Sequence, residues 1–123
     1  MHIALKVLGV KKNDEVIVPS ITFIATVNSI KYNNADPIFM DVDKNFNIDE
    51  NKTLQFLKNN TYKKKNYSYN KKTKKIIRVL IVAHIWGGGS RIKKIISECK
   101  KRNIKVVEDA AESFGTFYNF KYL

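Results

Sequence analysis

The sequence carries a single cysteine, Cys99, so it can close no internal disulfide and build no cysteine-rich zinc site. That cysteine falls on the apolar side of a predicted helix, where a small buried thiol is the ordinary reading. No apolar run approaches the ~20 residues that a membrane-spanning helix needs. Residues 1–10 lack a basic start, a sustained apolar region and a small-residue cleavage site, so no secretory leader is expected. A soluble, cytoplasmic chain is the expectation. Acidic residues are scarce: 11 Asp and Glu against 23 Lys and Arg, for a formal charge of +12. A balance that basic points to nucleic acid, an anionic membrane or a phosphorylated ligand. Nine of the basic residues lie between Lys58 and Arg78, a stretch without one acid, so the excess is a local run on an otherwise ordinary surface. What remains is room for one modest domain of 123 residues, and a 44% hydrophobic share excludes disorder throughout.

Short apolar runs alternate with helical patterns. Residues 1–8 read as the tail of a helix stopped by Gly9. Glu15-Val16-Ile17-Val18 is a buried strand ended by Pro19. Ser20 or Thr22 can cap the next helix, from Phe23 to about Tyr32, with Phe23, Val27 and Ile30 at helical spacing. Pro37-Ile38-Phe39-Met40 reads as a strand before a polar turn, and Asp49 caps a helix to about Leu57. Residues 59–75 are low-complexity Lys, Asn and Tyr, read as a basic exposed loop. Residues 76–85 form the most hydrophobic segment, a central strand closed by Gly87-Gly88-Gly89. Ser90 is placed as the cap of a helix reaching Arg102, with Ile92, Ile95, Ile96 and Cys99 on one stripe. Ile104-Lys105-Val106-Val107 is a strand running into Glu108-Asp109. Strands separated by helices at this spacing predict the α/β class, with a mainly parallel sheet.

Several constellations have ordinary explanations. Asp41, Asp43, Asn45, Asn47 and Asp49 alternate as in a calcium loop, but Phe46 and Lys52 stand where that loop needs Gly and Glu, so no metal is expected. The glycines at 87–89 follow a strand, yet Ser90-Arg91-Ile92 completes neither a Walker loop nor a dinucleotide fingerprint. Lysines interleaved with tyrosines between Lys63 and Lys75 resemble a single-strand nucleic-acid binder, but no Arg is among them and a solvated loop is the simpler reading. His84 and Trp86 end the most buried strand, the edge where open α/β sheets place ligands, and each fits equally as a packed interior residue. Asp109 directly follows an apolar strand at the same edge. Burying it unpaired costs several kcal/mol, so it needs a partner, either as a helix cap or as a ligand contact.

Taken in order, the segments from Gly9 through Glu15-Val16-Ile17-Val18-Pro19-Ser20-Ile21-Thr22-Phe23 to Asn28, then Pro37-Ile38-Phe39-Met40-Asp41-Val42-Asp43, Ala83-His84-Ile85-Trp86-Gly87 and Val106-Val107-Glu108-Asp109-Ala110-Ala111-Glu112-Ser113-Phe114-Gly115, closely resemble the DegT/DnrJ/EryC1/StrS family of nucleotide-sugar aminotransferases, which use pyridoxal 5′-phosphate (PLP). Glu112-Ser113 and the basic run before the central strand are similar to the branch serving legionaminic-acid-type sugars. The resemblance implies an incomplete large domain of the aspartate-aminotransferase-like fold type I over residues 1–123. It implies that Asp109 contacts the pyridine nitrogen of PLP and that Phe23 stacks on the cofactor face. Glu112 would then lie near the cofactor's 3′ oxygen, with His84 close to the site in an unassigned role. The implied partners are a keto-sugar nucleotide, an amino donor such as glutamate, and a second subunit in a homodimer, with the product destined for a surface polysaccharide or glycan.

Two family features do not match within these residues. The Gly-Thr-Ser/Ala phosphate-cradling turn would lie before Met1, and the Schiff-base lysine after Leu123. None of the lysines present stands in that motif's context, so the catalytic amine is expected outside this sequence and the chain alone is expected to be inactive. The alternative is a non-catalytic binding module that grips an anionic partner through Lys63 to Lys75.

Overall fold

The computed structural model describes residues 1–89, 91–118 and 121–122. In chain order the elements are α1 (His2–Val7), β1 (Glu15–Pro19), α2 (Ile24–Tyr32), β2 (Asp36–Met40), α3 (Glu50–Asn60), β3 (Thr61–Lys64), β4 (Tyr67–Asn70), β5 (Ile76–Ala83), α4 (Lys93–Lys101), β6 (Lys105–Asp109), β7 (Phe117–Tyr118) and β8 (Lys121–Tyr122). The strands β2, β1, β5 and β6 run parallel, side by side in that order. Ile77 pairs with Glu15 on one side and Ser68 on the other, and Val79 with Val16 and Lys105. β4 and β6 therefore occupy the same edge of β5, one after the other. β7 and β8 pair with each other in a separate two-stranded sheet.

The sequence explains this order. β1 and most of β5 are apolar on both faces and lie buried at the centre, as parallel strands covered by helices must. β2 holds Pro37, which has no N–H to donate, and it takes the outer position where none is needed. α1 and α2 cover one face over Leu5, Val16, Val18, Ile30, Val79 and Ile81. α3 and α4 cover the other over Ile17, Leu57, Leu80, Val82, Ile95 and Cys99. The α/β class with a mainly parallel sheet is as the sequence predicts.

A bulge in β5 sets the main buried ion pair. The register with β1 shifts between Glu15 and Val16, so Arg78 is an extra residue. Arg78 Nε donates to Asp14 Oδ2 at 2.9 Å with the two side chains 15% and 7% exposed, and the guanidinium lies over the Tyr67 ring at 4.7 Å. Burial opposes the charge on Arg78, but the Asp14 carboxylate and Tyr67 together offset it and raise the guanidinium's pKa.

Residues 59–75 depart from the loop expected of them. They complete α3 and form the β3–β4 hairpin, an antiparallel extension of the sheet. Low complexity hid a period of two: Thr61, Ser68 and Asn70 are buried, while Tyr62 and Tyr69 stack across the strands with centroids 5.5 Å apart. Asn70 Nδ2 donates to the buried Glu15 Oε2 at 3.0 Å, and Ser68 Oγ to the Arg102 carbonyl at 2.6 Å. Lys63, Lys64 and Lys65 are exposed, as the sequence predicts.

Caps divide. Asp49 accepts from the Lys52 backbone N–H at 2.9 Å, as expected for the N-cap of α3. Neither Ser20 nor Thr22 caps α2, whose N-cap is Phe23 without a side-chain bond. α4 begins after Ile92, and the cap assigned to Ser90 lies outside the described residues. The would-be calcium loop is a polar turn in which Asp43 Oδ1 accepts from the backbone N–H groups of Asn45 and Asn47 at 2.8 and 3.1 Å. Among the described residues no cluster of three or more His, Cys, Asp or Glu could hold a metal, and no helix is long and apolar enough to cross a membrane.

Cys99 is fully buried against α3, and that burial pushes its thiol up to about 12. The reactive species is the thiolate, so native Cys99 should stay unmodified by a disulfide reagent at pH 8 and release one equivalent of chromophore after denaturation. Rapid labelling of the native chain would show that α4 is not docked as described.

Candidate active site

The C-terminal ends of β1, β5 and β6 point to one edge of the sheet, where the following turns diverge and leave a crevice. Asp109 is the last residue of β6, and turns rather than a helix follow it, so it caps no helix. Its carboxylate is held from two directions. Thr26 Oγ1 donates to Oδ2 at 2.7 Å, and the Ala111 N–H donates to Oδ1 at 3.3 Å. The His84 N–H donates to the Asp109 carbonyl at 3.1 Å, which ties the ends of β5 and β6 together.

Phe23 stands at the entrance of α2 with its ring 68% exposed, beside Asp109. An apolar ring left that open at a cleft is available to cover a flat ligand. The cleft holds about 500 Å³ and is lined by Phe23, Thr26, Ser29, Tyr32, Asp109 and Glu112, among others. A recess of about 30 Å³ that shares Phe23, Asp109 and Glu112 with the cleft is also lined by Thr22, Ala83, His84 and Ile85.

Glu112 follows Asp109 by three residues, and its Oε2 accepts the Trp86 N–H at 2.8 Å. Trp86 takes a left-handed conformation (φ 51°) in the turn after β5, edge-on to Phe46 at 5.0 Å between centroids. The His84 ring is wholly buried, with Nε2 hydrogen-bonded at 2.9 Å to Oε2 of Glu108, the residue before Asp109.

The residues named from the sequence, Asp109, Phe23, Glu112 and His84, thus meet at one place. Thr26 is the residue the sequence reading missed. Its signal was slight: a polar residue three positions after Phe23, near the start of the predicted helix.

A carboxylate ending a parallel strand beside an open aromatic ring fits the large domain of fold type I PLP-dependent aminotransferases, and the solved neighbours have that fold. A crystal structure of 3-amino-5-hydroxybenzoic acid synthase superposes with a TM-score of 0.79 at 22% identity, over 99% of this chain and 28% of that one. The Bacillus subtilis protein NtdA, solved with its cofactor PMP bound, gives 0.76 at 26% identity over 98% and 24%. The chain belongs to the DegT/DnrJ/EryC1/StrS aminotransferase family, whose model matches residues 1–123. It is 41% identical over 123 residues to the GDP-perosamine synthase of Escherichia coli O157:H7, covering all of this chain and 30% of that protein. The chain thus spans about 30% of the length of the curated relatives it matches.

Proposed function

We propose that residues 1–123 form the cofactor-facing part of the large domain of a nucleotide-sugar aminotransferase that passes an amino group from a donor such as glutamate to a keto sugar carried on a nucleotide. The observation that carries this reading is the convergence of Asp109, Phe23 and Glu112 on one cleft at the C-terminal edge of the sheet. The donor set fits pyridoxal phosphate: an oriented carboxylate, a ring open on one face and a second carboxylate already pinned by a backbone N–H. Bound there, the cofactor supplies an electron-withdrawing pyridinium ring.

Asp109 would keep a proton on the ring nitrogen by placing its negative charge beside it. Phe23 would cover one ring face and keep water from it. Glu112, bridged by the Trp86 N–H, would offer its remaining oxygen to the cofactor's polar edge. The amine that completes catalysis would come from sequence outside residues 1–123, and the second subunit of a homodimer would close the site. Identity to GDP-perosamine synthases favours a GDP-linked amino sugar over the legionaminic-acid branch, with the product entering a surface polysaccharide. A lone buried cysteine suits the reducing cytoplasm.

The test is a hybrid in which residues 1–123 replace the matching segment of the E. coli GDP-perosamine synthase. The hybrid should bind pyridoxal phosphate, seen as protein-bound visible absorbance, and should form amino sugar. A hybrid with native circular dichroism that binds no cofactor would overturn the reading.

A further inference from the structure

We propose that Thr26 is a positioning residue that fixes the rotation of the Asp109 carboxylate towards the cleft. The inference rests on the reading of Asp109 as the cofactor-contacting carboxylate. Thr26 lies in the first turn of α2 and is 2% exposed. A threonine hydroxyl in a helix commonly bonds back to the carbonyl one turn earlier. This one reaches a residue 83 positions away in sequence and donates to Asp109 Oδ2 at 2.7 Å. Its own backbone groups are used separately: the N–H donates to the Phe23 carbonyl, and the carbonyl accepts from Ser29 Oγ at 2.6 Å. The hydroxyl is therefore committed to the carboxylate.

The geometry defines the consequence. A carboxylate turns freely about its last bond unless both oxygens are held. The Ala111 N–H holds Oδ1 at 3.3 Å, a long contact from the turn after β6, so most of the restraint on the plane comes from Thr26. Phe23 is the N-cap of α2 and its carbonyl accepts the Thr26 N–H at 3.0 Å, so the start of one helix both places the ring beside the cleft and aims the carboxylate into it. Thr26 acts only through Asp109.

The test uses the hybrid enzyme with Thr26→Val, Thr26→Ser, Asp109→Asn and the double variant Thr26→Val/Asp109→Asn. Valine keeps the branched shape and removes the donor. It is expected to lower kcat about 10- to 100-fold, the range for losing one hydrogen bond to a charged group. The KM for the sugar nucleotide should stay within about 2-fold, because Thr26 acts through Asp109 and the cofactor rather than on the substrate. Serine keeps the donor and should return kcat to within about 3-fold of the parent. The bound-cofactor spectrum should titrate differently with pH in the valine variant and as the parent does in the serine variant. The double variant should be no slower than Asp109→Asn alone.

A valine variant with parental kcat and spectrum, in an enzyme that Asp109→Asn disables, overturns this proposal and leaves the role of Asp109 standing. Parental activity in Asp109→Asn overturns both. A folded serine variant more than about 10-fold slower than the parent overturns the hydrogen bond as the cause, whether or not the valine variant folds.

Discussion

Replacing Asp109 with alanine in the hybrid enzyme is expected to lower kcat about 10²- to 10³-fold, the loss typical when a preorganised charge is removed from a reacting centre. Cofactor affinity should weaken with it. The carboxylate is held by Thr26 and Ala111 before any ligand arrives, so no reorganisation is needed when charge develops on the ring. Asp109→Asn preserves shape but removes the charge and replaces one of the two accepting oxygens with an NH2 donor, so it cannot accept from both Thr26 and Ala111 and should lose nearly as much as alanine. Asp109→Glu keeps the charge but extends the side chain past both donors, and should recover little. The measurements are steady-state rates and a titration of the apo-hybrid with pyridoxal phosphate by absorbance. Cofactor affinity and kcat within 2-fold of the parent in Asp109→Ala would remove this residue from the site.

The second large effect is on stability. Arg78→Met should destabilise the chain by about 3 kcal/mol, the cost of leaving a mostly buried charge without its partner. Asp14 would be stranded at 7% side-chain exposure, with the Lys11 backbone N–H at 2.9 Å as its remaining partner among the described residues. Removing the second charge as well, in Arg78→Met/Asp14→Asn, should recover part of the loss, because the larger cost lies in the unpaired ion. Urea unfolding of the chain and both variants measures this. A loss below about 1 kcal/mol for Arg78→Met would show that water reaches the pair and screens it.

How far the sequence alone could go varies along the chain. The strands β1 and β5 were legible because parallel strands buried on both faces must be continuously apolar, and Val16, Ile17, Val18 and residues 79–83 are so. The Asp49 cap was legible because a carboxylate at that position answers donors within its own first turn. The β3–β4 hairpin was not, because its strands are made of Lys, Asn and Tyr. Their burial depends on Glu15, Arg102 and Ile77, residues that come near only after folding. The cap of α2 failed for the opposite reason: Thr22 is a good capping residue in isolation, but the chain turns so that Phe23 occupies the cap position beside the cleft.

The site divides in the same way. Position at the end of an apolar strand was enough to single out Asp109 and His84, since that is a property of a short segment, and the family resemblance added Phe23 and Glu112. The sequence likewise determined the α/β class through the alternation of its apolar runs. Only the tertiary structure decided what holds each group: Thr26 on the Asp109 carboxylate, Trp86 on Glu112, Glu108 on the His84 ring and Arg78 on Asp14. These pairs join residues 24 to 83 positions apart. A hydrogen bond depends on distances of a few tenths of an ångström, and no local pattern encodes a distance between segments that meet only when the sheet is assembled.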